Sequence, residues 1–185
     1  TIGFIVDAQT NESTGASDNK NILSAEATPT VIDSILRAPN TSNAKRQQAT
    51  FNVNYAYEAG KNKLNVDADY GRFRNEADNF QPNYYYNPTE TDIISQNITS
   101  YFTQVEIDIT TAKADFETEV FGGSLGLGTK FSNVSTDNTF LFYNIDNSIK
   151  TRNDRRSNQF AYKENVYAGY VNFAKNISAK WNASA

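Results

Sequence analysis

Apolar and polar residues alternate along much of this chain with the two-residue period that sends them to opposite faces of a β-strand. The clearest run is Ala49 to Tyr57, where Ala49, Phe51, Val53, Tyr55 and Tyr57 share one face and Thr50, Asn52, Asn54 and Ala56 the other. Ala59-Gly60-Lys61-Asn62 is a turn of hairpin length, and the return strand sets Leu64, Val66, Ala68 and Tyr70 against Asn65, Asp67 and Asp69. Alternation resumes with Tyr101, Thr103, Val105, Ile107 and Ile109, opposed by Gln104, Glu106, Asp108 and Thr110. A polar connection over 111–119 then leads to a strand with Phe121, Leu125, Leu127, Thr129 and Phe131 on one face. Its other face carries Gly122, Gly126 and Gly128 and is nearly bare, which marks a bend or the close approach of another segment. Residues 160–173 read as a long strand reversed at Ala174-Lys175-Asn176. Beyond that turn Ile177, Ala179, Trp181, Ala183 and Ala185 alternate with Ser178, Lys180, Asn182 and Ser184.

Elsewhere the pattern dissolves, and three stretches read as long loops: 11–47, 71–98 and 133–158. In the first, Thr28-Pro29 followed by Val31, Ile32, Ile35 and Leu36 predicts a short amphipathic helix, capped by Thr28 and stopped by Pro39. Ile2 to Val6 closes another strand. The short connections (59–62, 111–119, 174–176) alternate with the long ones, so all short turns fall at one end of the sheet. An outer-membrane β-barrel has that layout. The expected architecture is all-β: an antiparallel up-and-down meander of about 7–8 strands, part of such a barrel. The whole of 1–185 forms one barrel segment without a plug domain. A soluble β-barrel or β-sandwich that binds a ligand is the alternative.

Composition changes the picture mainly by exclusion. Only 38% of residues are hydrophobic, yet Tyr and Phe number 11 and 12. Disordered chains are poor in aromatics, so alternation is the better account of a polar average. No apolar run approaches the ~20 residues of a membrane helix, whereas a barrel strand crosses with ~9–11 alternating ones. The absence of cysteine and histidine removes thiol chemistry, the commonest general base and the commonest metal ligand. No cofactor or metal site is expected. A net charge of −4 offers no footprint for nucleic acid. The chain opens at Thr1, lacks methionine and stops in mid-pattern, as a piece of a larger protein would.

Candidate residues divide by face. Phe51, Val53, Tyr55, Leu64, Val66, Val105, Ile107, Ile109, Leu125, Leu127 and Trp181 are expected to face lipid, and Asp67, Asp69, Glu106 and Asp108 the lumen. Those carboxylates could in principle act as paired acid and base in a hydrolase; lining a wet lumen is the simpler role, and no catalytic residue is assigned. Tyr55, Tyr57, Tyr70, Tyr101 and Trp181 fit interfacial girdles. Tyr84, Tyr85 and Tyr86 could stack on a flat ligand from a loop, and Arg155 and Arg156 could meet an anionic one. Asp137, Asp146 and Asp154 lack the spacing of a calcium loop.

Several stretches carry a family resemblance: FNVNYAYEAGKNKLNVDADYGRF (51–73), VEIDITT (105–111), SLGLGTKFSNVSTDN (124–138) and SNQFAYKENVYAGYVNFAKNISAKWNASA (157–185). In that order they resemble the outer-membrane β-barrel family of Bacteroidetes-type TonB-dependent-receptor-like proteins. The chain departs from it where 111–119 looks extended in place of a tight turn. The resemblance implies a barrel of about twenty-two strands, of which this chain supplies seven or eight. It implies a place in the bacterial outer membrane and TonB-dependent uptake of a bulky nutrient. Its implied partners are outer-membrane lipid, the remaining barrel, a plug domain and an energy-coupling complex. Excised from the barrel, unpaired edges and lipid-facing stripes would favour self-association.

Overall fold

Eight strands follow one another in a single antiparallel sheet in the computed structural model, which describes residues 1–27, 29–178 and 181–185. They are β1 (Ile2–Leu23), β2 (Ser34–Ala59), β3 (Asn62–Tyr86), β4 (Ile93–Val120), β5 (Gly123–Asp146), β6 (Ile149–Arg152), β7 (Asn158–Ser178) and β8 (Trp181–Ser184). Each pairs with the next, except that β6 folds back on the end of β5 and β7 takes the next place in the order. Among the described residues β1 pairs only with β2 and β8 only with β7, so the meander is open at both edges.

The short turns lie at one end. Gly60-Lys61 joins β2 to β3 with a positive φ at Gly60, where the first position of a type II′ turn requires it. Phe121-Gly122 joins β4 to β5 with φ of 52° and 70°, the pattern of a type I′ turn. This arrangement puts a bulky side chain in the left-handed region, at a cost of about 1–2 kcal/mol. Phe121→Asn is therefore expected to raise stability by about 1 kcal/mol, read from urea unfolding in lipid vesicles. An unchanged or lowered midpoint would mean that the 89%-exposed Phe121 ring contributes more to the folded protein than its backbone costs.

At the other end several expectations need correcting. The stretches 11–47, 71–98 and 133–158 are mostly strand, and the true connections are confined to 24–33, 87–92, 147–148 and 153–157. Strands of 22 to 28 residues are far longer than a bilayer needs. Their outer parts alternate weakly because water on both sides removes the reason for one face to be apolar. There is no helix after Pro29: Ile35 and Leu36 open β2, paired with Tyr86 and Tyr85, while the proposed cap Thr28 lies outside the described residues. The backbone there completes its hydrogen bonds with β3 instead of internally.

The connection expected over 111–119 is the second half of β4, and the reversal comes at Phe121-Gly122. Likewise Ala174, Lys175 and Asn176 continue β7. The chain reverses between Ser178 and Trp181, where Ala179 and Lys180 lie outside the described residues.

Little of the sheet is buried. Ile35, Ala38 and Phe142 are the buried hydrophobics among the described residues, all near the long-connection end, together with Pro82, Thr99 and Ser100. A single layer with so small a core takes its stability from its ladders and from whatever covers its faces.

Candidate functional site

Directly paired residues in an antiparallel sheet share a face, so the register assigns every side chain to one side or the other. One face bears a continuous apolar belt at the short-turn end. Its middle row runs Phe4, Val53, Ala68, Ala112, Phe131, Tyr167 across β1, β2, β3, β4, β5 and β7. Ile2, Tyr55, Val66 and Ala114 continue it one row toward the turns, and Tyr57, Leu64, Phe116, Leu127 and Val171 one row further. The belt crosses the pairing rows obliquely. It reaches up to Ala8 and Ala49 in β1 and β2, but its upper edge has stepped down to Phe131 and Tyr167 in β5 and β7. A slab normal to a common axis cuts tilted strands in this way, as closure into a barrel requires.

The belt residues stay exposed: Phe4 by 77%, Tyr57 by 50% and Val171 by 69%. Among the described residues no second layer covers them, as one would in a soluble sandwich. Immediately above, the same face turns ionic. Arg72 lies 3.6 Å from Glu106, and Arg74 lies 3.2 Å from Glu106 and 2.5 Å from Glu76. Tyr70 sits at the boundary, its hydroxyl donating to Asp108 at 2.7 Å. A ring among apolar neighbours with its hydroxyl among charges is the posture of an interfacial tyrosine.

The opposite face at belt level is polar and internally bonded. Asn52 and Thr111 donate to the two carboxylate oxygens of Asp69 at 2.6 and 2.7 Å. Lys113 pairs with Asp115 at 2.6 Å, and Tyr170 reaches across Gly128 to donate to Asp115 at 2.5 Å. The bare glycine face is thus the bed for side chains from β7. A Cβ on Gly128 would meet the Tyr170 ring at 2.0 Å, and one on Gly126 the Asn172 amide at 2.2 Å.

The candidate residues fall into place unequally. Phe51, Val53, Tyr55, Leu64, Val66, Leu125 and Leu127 are on the belt face, and Asp67 and Asp69 opposite them. Trp181 is in phase with Ala183, the partner of the belt-side Lys175. The assignment of β4 is reversed: Val105, Ile107 and Ile109 lie on the polar face above the belt, while Glu106 and Asp108 are on the belt face in its ionic rim. Tyr101 goes with Val105, away from any girdle. The belt stretch of β4 is Ala112, Ala114 and Phe116, alternating with Lys113, Asp115 and Glu117. That alternation was present in the sequence, but two of its apolar members are alanines.

Tyr84, Tyr85 and Tyr86 belong to β3, so consecutive rings lie on opposite faces and cannot form one platform. The exposed Arg156 lays its guanidinium over the buried Phe142 ring at 3.5 Å, which leaves its in-plane N–H groups open to solvent. Arg155 stays exposed in the same connection. The register keeps both away from the tyrosines, since Phe142 pairs with Tyr101 and Tyr101 with Asn79. Near the outermost hairpin, Glu90 gathers Lys20 and Arg37, the latter donating at 2.5 Å. These two cations hold the Glu90 carboxyl below the usual carboxylate range. Asp154 pairs with Arg152 at 2.9 Å, and among the described residues no group of three or more acidic side chains is placed to hold a metal ion.

The sequence profile of the Outer membrane protein beta-barrel family matches residues 56–185. The chain belongs to that family. It is therefore an outer-membrane β-barrel protein, with the belt at the level where such barrels carry their apolar band. Among solved structures it is similar to the ferric yersiniabactin uptake receptor FyuA from Yersinia pestis, at 11% identity and a TM-score of 0.33. That alignment covers 98% of this chain and 33% of the receptor, so this outer-membrane barrel chain spans about a third of the receptor's length. No curated protein matches it by sequence.

Proposed function

We propose that this chain is part of the wall of a Bacteroidetes-type outer-membrane receptor that takes up a bulky nutrient with TonB-dependent energy. The oblique apolar belt supports the reading, because a surface that meets lipid has to be apolar. Phe51, Val53, Tyr55, Leu64, Val66, Leu125, Leu127 and Trp181 face lipid, together with Phe4, Phe116, Phe131 and Tyr167. Asp67 and Asp69 line the lumen beside Lys113 and Asp115. A plug domain and the remaining strands complete the barrel, and an inner-membrane energy-coupling complex drives release of the cargo. The role needs no catalytic group. Without those partners and without detergent, the open edges pair with another copy.

Cells expressing the complete gene product should accumulate its cargo only while the energy-coupling complex is intact. Equal accumulation after that complex is deleted would reduce the barrel to a passive pore and overturn the proposal.

A further inference from the structure

A second apolar patch lies on the belt side of the sheet, at the far tips of the long strands. Ile22, Ile35, Tyr86 and Ile93 form one row across β1, β2, β3 and β4. They are in phase with Phe4, Val53 and Ala68 of the belt, so the row faces the same way. Ile22 is exposed by 59% and Ile93 by 50%, with Val31 of the adjoining connection at 55%. The patch is not an extension of the belt. Between the two, the same side of β1 carries Thr10, Glu12, Thr14, Ala16, Asp18 and Lys20, without one large hydrophobic side chain. Arg72, Arg74 and Glu76 intervene in β3. Lipid does not account for the patch either. Ile22 is about 60 Å up the strand from Phe4, which at a barrel's tilt is about 45 Å above the middle of the membrane. The apolar band of an outer-membrane barrel is only ~25 Å tall.

We infer that this row is where two copies of the complete protein meet, side by side in the outer membrane. The inference takes from the proposed function the outward direction of the belt face. A patch on the outside of the wall is reached laterally, and its partner must rise to the same height above the lipid. A second copy meets that condition, since its own strands protrude as far. The contact is then isologous, so the patch must complement itself. Aliphatic side chains do so, and the neighbouring rows supply both signs of charge around them. Lys20 and Arg37 pair there with Glu90, and Asp18 lies 3.5 Å from Arg37. An apolar centre with a polar border is the make-up of a protein interface. Confinement to one membrane keeps neighbouring tips at high effective concentration, which lowers the affinity the contact needs. The contact uses strand tips of the intact barrel and is distinct from edge pairing of an excised piece.

The test uses two differently tagged copies of the complete gene product in one cell, with p-benzoylphenylalanine at Ile93. Irradiation should join them in a product that carries both tags. The same photoprobe at Gln9, on the opposite side of β1, should not. Without the photoprobe, either tag should recover the other copy after mild detergent extraction. Ile22→Asp together with Ile93→Asp should cut that recovery about tenfold or more, with the heat-modifiable mobility of the folded barrel unchanged. Joining only to a different protein or to lipopolysaccharide, no joining of the copies, or unaltered recovery in the folded double variant would overturn the inference. Labelling of Ala112→Cys by a membrane-impermeant maleimide would instead dismiss the lipid-facing reading on which it rests. Protection there, with no joining at Ile93, dismisses the contact alone.

Discussion

Arginine at Ala112 is expected to destabilise the folded barrel in a bilayer by about 2–4 kcal/mol, because that position lies in the middle row of the apolar belt. The flanking residues in the row are Ala68 and Phe131, which offer the guanidinium no partner. The same substitution one residue away, at Thr111, should cost far less, since Thr111 is on the polar face beside Asp69. Urea unfolding of both variants in vesicles checks the difference. Equal costs at the two positions would mean that neither face of β4 meets lipid.

The next largest effect is expected at Gly128. Gly128→Val should cost about 1–3 kcal/mol, because the new side chain displaces the Tyr170 ring and breaks its hydrogen bond to Asp115. Tyr170 is 48% exposed, so the ring can swing away and the barrel still folds. In a Tyr170→Ala background Gly128→Val should therefore be much milder. A double-mutant cycle in the same unfolding assay would show additive losses if the contact were irrelevant.

The hairpin from Ala49 to Tyr70 was legible because one face is apolar at nearly every second position and the turn carries Gly60. β4 shows why pattern alone can mislead. Its strongest apolar alternation, Val105, Ile107 and Ile109, stands above the belt on the amide-rich face. The weaker stretch Ala112, Ala114 and Phe116 is the one in the belt. Hydrophobic strength identifies a strand but not which side faces lipid; that depends on register with the neighbours, which a single sequence does not display. The same limit explains the strand segments read as loops, and a tyrosine triplet taken as one surface although its members alternate. The placement of Asp67 and Asp69 opposite the belt was legible because they belong to the well-patterned hairpin. The Tyr170–Gly128–Asp115 row needed three strands brought together.

The alternating strands with which the chain announces itself therefore form a membrane wall whose phase is set by the belt. The absence of cysteine allows that phase to be read directly, since each introduced thiol is alone in the chain. Single cysteines from Ile107 to Phe116 in β4, treated with a membrane-impermeant maleimide in outer-membrane vesicles, test the account most directly. Labelling is expected at Ile107→Cys, Ile109→Cys, Thr111→Cys, Lys113→Cys and Asp115→Cys, with protection at Ala112→Cys, Ala114→Cys and Phe116→Cys. The opposite phase, or labelling without a two-residue period, would contradict it.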